Sequence, residues 1–240
     1  MKTDLFDKSE EYNAQLNQGL RFTGEGKHYF MRERIRDLRD QLGPSFRPRR
    51  ILDFGCGIGD TAQQFAQWFP GAEVVGVDCA ADAVRHAREH HQESALSFLD
   101  LATFCPAADF DLCYCSGVFH HIAKAQRLDA LDLIWRALAP SGRFALFENN
   151  PWNPGTRVVM KSIPFDSDAV PLSPTEAMTL VGRATWEDVK RPRFLFYFPR
   201  WLSFLRSLEA RLANIPFGGQ YYILATKQPE TLHGAKRPHS

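Results

Sequence analysis

The sequence predicts an α/β fold in which a doubly wound, mostly parallel sheet is covered by helices on both faces. Three observations predict it. Short apolar runs alternate with amphipathic segments of helical period between Ile51 and Phe147. A glycine-rich turn joins the first of these runs to the first helix, and Pro140-Ser141-Gly142 turns the chain from a helix into another strand. Such alternation at this spacing builds parallel strands with helices on either side.

Residues 8–42 read as two helices. Tyr12, Leu16 and Leu20 recur every four residues, Met31, Ile35, Leu38 and Leu42 make a second stripe, and Gly24 and Gly26 separate them. They are expected to form an N-terminal helical lid over 1–45, ahead of a main domain at 46–228. Ile51–Phe54, Glu73–Val77, Leu96–Leu99, Phe110–Cys115 and Arg143–Phe147 read as strands. Helices are expected at Thr61–Phe69, at Ala81–His90, and after Cys115 with Leu128, Leu131, Ile134 and Leu138 facing the sheet. Residues 150–175 carry five prolines and no period, so they read as an irregular insertion reaching to about 185. Its Trp152, Val158, Val159, Ile163 and Phe165 are expected to need burial. Thr175–Arg183 and Trp201–Leu212 read as helices, Phe194–Phe198 as extended, and Tyr221–Ala225 as the last strand. The tail from 229 to 240 is expected to be disordered.

Composition narrows the function. The 240 residues carry 29 basic and 28 acidic side chains, a net charge of +1, which gives no general electrostatic grip on nucleic acid. No run is apolar for the length of a membrane span, and the polar MKTDLFDKSEE stretch is expected to be neither a secretory signal nor a transit peptide. The five cysteines form no CxxC pair. Cys113 and Cys115 are expected as buried thiols in a reducing, cytoplasmic setting, with no metal site. Oligomeric state is not legible.

Asp53-Phe54-Gly55-Cys56-Gly57-Ile58-Gly59-Asp60 lies where a parallel sheet opens its ligand crevice. Glycines there let backbone approach a ligand. The spacing is GxGxG rather than GxGxxG, and Asp53 precedes it. A carboxylate at that point repels a pyrophosphate but suits an ammonium group. Asp60 is expected to cap the following helix. Asp78 ends the second strand, about 20 residues beyond the turn, where an acid can take both hydroxyls of a ribose. Asp100 ends the third strand and can accept from an adenine amino group.

ILDFGCGIGD, VVGVD, FLDL, FDLCYCSGVFHHI and LAPSGRFALFE together resemble class I S-adenosylmethionine-dependent methyltransferases in order and spacing, strongly over about residues 50–148. The resemblance implies a Rossmann-like, seven-stranded sheet with its last strand antiparallel, and S-adenosyl-L-methionine as cofactor. It also implies that Asp53 and the Gly55-Cys56-Gly57 turn line the methionine end and Asp78 the ribose. Cys79 would flank the adenine, Asp100 and Leu101 its edge, and Ser116 would lie beneath the methionine part.

Methyl transfer is an in-line displacement helped by alignment, exclusion of water and sometimes removal of a proton. Candidates for that work follow the fourth and fifth strands: His120 and His121, with His121 slightly favoured as base, and Glu148 and Asn150 as positioning groups. Tyr29 and Arg34 can close over the cofactor, an Arg pairing its carboxylate, whereas Arg32 reads as a solvated residue. Phe194, Phe196, Tyr197, Phe198 and Trp201 read as core rather than as a substrate box.

Three functions fit. The first is a methyltransferase acting on a small molecule of bacterial secondary metabolism. GEGKHYFMRER, FENNPWNPGTR and PFDSDAV also resemble methyltransferase-like cyclases that convert S-adenosylmethionine to azetidine-2-carboxylate and methylthioadenosine. The third is a non-catalytic module that kept the cofactor fold.

Overall fold

The computed structural model describes residues 19–163 and 169–229, the side chain of Phe22 excepted. Tyr12, Leu16, Phe165 and residues 230–240 therefore lie outside the described residues.

Five parallel strands carry the first half: β1 (Arg50–Phe54), β2 (Glu73–Asp78), β3 (Leu96–Asp100), β4 (Phe110–Ser116) and β5 (Leu138–Asn149). Helices α1 (Lys27–Leu42), α2 (Asp60–Trp68), α3 (Ala81–His90) and α4 (Arg127–Ala137) cover them. Then follow α5 (Pro154–Ser162), α6 (Pro174–Val181), β6 (Trp186–Val189), β7 (Arg193–Leu195), α7 (Glu209–Leu212) and β8 (Gln220–Lys227). The order is β3-β2-β1-β4-β5-β8-β6, with β7 also on β8 and β8 antiparallel to its partners. The sheet has eight strands rather than seven, because the far edge position is split between β6 and β7.

Both faces are dry, as parallel sheets require. Ile51, Val74, Leu112 and Tyr114 pack under α1 and α2 through Ile35, Leu38 and Phe65. Leu52, Val75, Cys113 and Cys115 face the other way, toward Leu131 and Ile134 of α4 and Val181 of α6. Cys113 and Cys115 thus share a face and are fully buried.

Several local expectations change. Residues 154–162 are helical: Pro154 sits at N1, where its missing N–H costs nothing, and Asn153 caps Thr156 N–H. Reading every proline as a breaker hid this helix. Trp152 and Val158 stay exposed, while Ile163 is buried as expected. α6 begins with a capping box, Ser173 and Glu176, and ends two residues earlier than the expected Arg183. Trp201–Leu212 is a kinked 3-10 stretch, Arg200–Leu208, continued by α7, and its Trp201, Phe204 and Leu208 face outward. On α4, Leu128 points out and Arg127 is buried instead, held by the Ile122 and Val170 carbonyls at 3.1 and 2.8 Å. Asp60 is the first residue of α2 and not its cap, which is Gly59 in the left-handed conformation.

Helix α1 is tied across the sheet. Arg193 of β7 donates two hydrogen bonds to Asp37, at 2.8 and 2.9 Å, and Tyr222 of β8 donates a third at 2.7 Å. Lys27 pairs with Asp60, fastening the start of α1 to the start of α2. Among the described residues no helix is long and apolar enough to cross a membrane.

Candidate active site

Strand order reverses between β1 and β4, so the loops leaving their C-terminal ends diverge and open a crevice. Two cavities meet there, of about 390 and about 640 Å³. Gly55, Gly57, Ser116 and His121 line both.

The glycine turn is shaped for close approach. Gly55 has φ +79° and its missing Cβ would lie 2.2 Å from Val118 Cγ2. Gly57 has φ +53° and nothing within 4 Å of its missing Cβ, so its open side faces the crevice. Asp78 organises the turn from β2: one oxygen accepts Gly57 N–H at 2.8 Å, the other Ala80 N–H at 2.9 Å. The smaller cavity has Asp78, Cys79 and Leu101 on its wall. Burial, first of all, pushes the Cys79 thiol up to about 12, so it stands there as a neutral, polarizable group. Asp100 is not on this wall; it faces Arg88 at 3.4 Å on the surface. The backbone of Leu101 does hold the edge, donating to the Asp78 carbonyl at 2.8 Å.

The larger cavity has Asp53 and Arg34 on its wall, from β1 and α1. Asp53 is 2% exposed, and its Oδ2 has no hydrogen-bond partner; neither has the buried Nε of Arg34. Arg34 also reaches Gln220 of β8, at 3.4 Å. Burial pushes the Asp53 carboxyl up to about 7; Asp78 pushes the same way, and Arg34 pulls it back. An acid and a guanidinium on one wall, each with one buried atom left unmatched, fit the ammonium and carboxylate of an amino-acid group. Cys56 is buried behind the turn, its thiol pushed up by that burial.

The histidine pair divides. His120 is 4% exposed and its Nδ1 lies 2.5 Å from Glu148 Oε2, while Glu148 Oε1 accepts Phe119 N–H at 2.9 Å. Both residues line the larger cavity. This buried dyad, rather than the favoured His121, has the geometry of an oriented imidazole; His121 is half-buried where the cavities join. Asn150 does not reach the site. Its amide donates to the Pro216 and Gly218 carbonyls and accepts Trp152 N–H, so it clamps the loop before β8.

Tyr29 lines the larger cavity with Arg206 stacked 4.5 Å over its ring, and burial pushes its hydroxyl up to about 12. Arg32 lies on the solvent side, beside Glu33, as expected. The aromatic run departs from its expected role: Phe194 is core, but Phe196, Tyr197, Phe198 and Trp201 all line the larger cavity. Phe196 has φ +64°, an uncommon conformation for a bulky residue that turns the chain after β7. Nothing in the local sequence announces it. Among the described residues no three His, Cys, Asp or Glu side chains gather as a metal cluster.

Known proteins match this chain as follows. The family model of a methyltransferase domain matches residues 51–142. A trans-aconitate 2-methyltransferase of Rhodopseudomonas palustris (strain BisB5) is 28% identical over 139 residues, 57% of this chain and 54% of the relative. Another, from Methylobacterium radiotolerans, is 33% identical over 49% of this chain and 45% of its own. The chain spans about half the length of the curated relatives it matches. Among solved structures, a SAM-dependent methyltransferase from Archaeoglobus fulgidus superposes with a TM-score of 0.62 at 20% identity, covering 84% of this chain and 95% of that one. Human N-acetylserotonin methyltransferase gives 0.57 at 18% identity, over 75% and 48%. These two likenesses concern the fold.

Proposed function

Since the chain belongs to the class I S-adenosylmethionine-dependent methyltransferase superfamily, we propose that it transfers a methyl group from S-adenosylmethionine to a small molecule. One observation carries this reading. At the β1/β4 reversal the open side of Gly57 lies between Asp78 and the unmatched Asp53–Arg34 wall. That spacing of donors and acceptors suits a nucleoside at one end and an amino acid at the other.

In this reading Asp78 accepts from ribose hydroxyls while still holding the turn, and Cys79 and Leu101 flank the base. Asp53 takes the ammonium, Arg34 the carboxylate, and Ser116 lies beneath the chain between them. When bound, S-adenosylmethionine supplies an electrophilic sulfonium methyl. His120, oriented by Glu148, takes a proton from the acceptor as it attacks, a task suited to an imidazole near neutral pH. Helices α1 and α5 serve as the lid that excludes water. A natural product as acceptor rests on the sequence likeness of GEGKHYFMRER and FENNPWNPGTR alone; the trans-aconitate of the relatives is the other candidate.

The cyclase reading would use Asp53 differently. A carboxyl pushed up to about 7 by burial, as at Asp53, can take a proton from an amine instead of holding it charged. The neutral amine would then attack its own γ-carbon, the C–S bond would break, and methylthioadenosine would leave with the electron pair. The larger cavity has room for a separate acceptor, which keeps methyl transfer ahead. Purified protein with S-adenosylmethionine and no acceptor separates the two. Methyl transfer gives S-adenosylhomocysteine only once an acceptor is added; catalytic methylthioadenosine with a four-membered imino acid overturns it.

A further inference from the structure

We infer that the larger cavity takes an uncharged, largely apolar acceptor and not a polycarboxylate. This rests on the methyltransferase reading and names its substrate class. The described residues bring three cations to that wall, and two of them face an acid on the same wall. Lys27 pairs with Asp60. Arg206 pairs with Glu25 at 2.9 Å and lies over the Tyr29 ring. Arg34 lies on the same wall as Asp53 without an ion pair to it, and in this reading it is taken up by the cofactor's carboxylate. Glu148 adds a fourth carboxylate, held to His120. Acids thus outnumber Lys and Arg among the described wall residues, and a bound tricarboxylate would meet repulsion and break existing pairs.

The remaining wall carries no further Asp, Glu, Lys or Arg among the described residues. Beside the polar, uncharged Thr23, Asn149, Asn153, Thr156 and Gln220 it presents an apolar surface of Leu20, Phe30, Met160, Ile163, Phe196 and Trp201. The entrance continues that character. Trp201 and Val158 line the cavity yet are 72% and 58% exposed, so they stand at its mouth and offer an aromatic face and an aliphatic edge to an entering molecule. Trans-aconitate, after which the curated relatives are named, is a tricarboxylate and the opposite of what this wall favours.

Calorimetry with matched probes tests the charge preference. 2-Naphthol and 2-naphthoate differ chiefly in a carboxylate; each is titrated into the full chain with and without S-adenosylhomocysteine, beside trans-aconitate. S-adenosylhomocysteine formed from S-adenosylmethionine only when an acceptor is present reports on the methyltransferase reading, and the probe ratio reports on the wall. The expected result is 2-naphthol binding at least tenfold tighter than 2-naphthoate, with trans-aconitate weaker still. Equal or tighter binding of either carboxylate, or no saturable binding of 2-naphthol, overturns the inference. Glu25→Gln releases Arg206 and should shrink the naphthol-to-naphthoate ratio at least threefold; Asp60→Asn, which releases Lys27, is the replacement if that variant does not fold. An unchanged ratio in a folded variant also overturns it.

Discussion

The two cavities that meet at Gly55 and Gly57 are built by different means. The smaller is walled mainly by strand ends and the turns that follow them, the glycine turn after β1, Asp78 and Cys79 after β2, Leu101 after β3, with Asp129, Ala130 and Leu133 of α4 closing it. The larger joins residues far apart in the chain, as where Arg34 meets Gln220 across 186 positions. A wall made of consecutive turns is specified by local backbone chemistry. A wall made of distant elements depends on how each is tied down, here by Arg193, Asp37 and Tyr222. The first suits a common ligand fragment, the second a variable one.

The sharpest way to break this contrast is Gly57→Val. A side chain there fills the open face of the turn and occupies a left-handed conformation that costs about 1–2 kcal/mol. S-adenosylhomocysteine affinity should fall more than 100-fold by calorimetry while circular dichroism stays native. Near wild-type affinity would mean that the turn does not approach the ligand.

Next is Asp78→Ala, expected to weaken the same ligand by 10- to 100-fold, about 1.4–2.7 kcal/mol for lost hydrogen bonds to a charged acceptor. Because Asp78 also holds Gly57 and Ala80, Asp78→Asn should retain part of the affinity. Equal loss in both variants would mean that the one amide oxygen left to accept a backbone N–H contributes nothing to ligand affinity.

Asp53 belongs to the other wall and sharpens the contrast through pH. Its folded carboxyl is pushed up to about 7 from an ordinary 3.8, chiefly by burial, so the folded chain holds this proton more tightly than the unfolded one. Stability from this group is therefore lost as pH rises from about 4 to 7 and is level above that. Asp53→Asn should melt several degrees higher than wild type at pH 8 and nearly equal at pH 4. It should also bind S-adenosylhomocysteine about tenfold more weakly at pH 8, since the carboxylate no longer meets the ammonium. A variant no more stable at pH 8 would show that Asp53 is ionised without penalty.

The smallest effect is expected from Arg193→Leu, which removes the clasp on α1. Amide exchange in α1 should quicken about tenfold while β1 to β4 keep their protection, and ligand affinity should change only a few-fold. Uniform loss of protection would mean that the two walls are not separable.

The legible parts share a physical cause. Asp53, Gly55, Gly57 and Asp78 sit where a strand stops and a helix begins, and Leu101 and Ser116 where β3 and β4 stop, so their neighbours in sequence are their neighbours in space. Where that condition fails, sequence reasoning fails too. Asn150 stands beside Glu148 in the chain, yet its amide belongs to the loop before β8. His120 and His121 are indistinguishable by type and position; only the packing of Glu148, 28 positions on, tells the buried His120 from its neighbour. Phe196 to Trp201 read as core because aromatic clusters usually are, but a positive φ at Phe196 turns them onto the larger cavity.

The sequence by itself determined the alternating architecture, the glycine crevice and the acids at the ends of β1 and β2, because strand periodicity and turn chemistry act within a few residues. Tertiary structure alone decided the split edge strand, the His120–Glu148 dyad, the clasp on α1 and the paired cations of the larger cavity. Those depend on contacts between distant elements, and no local preference of either partner encodes them.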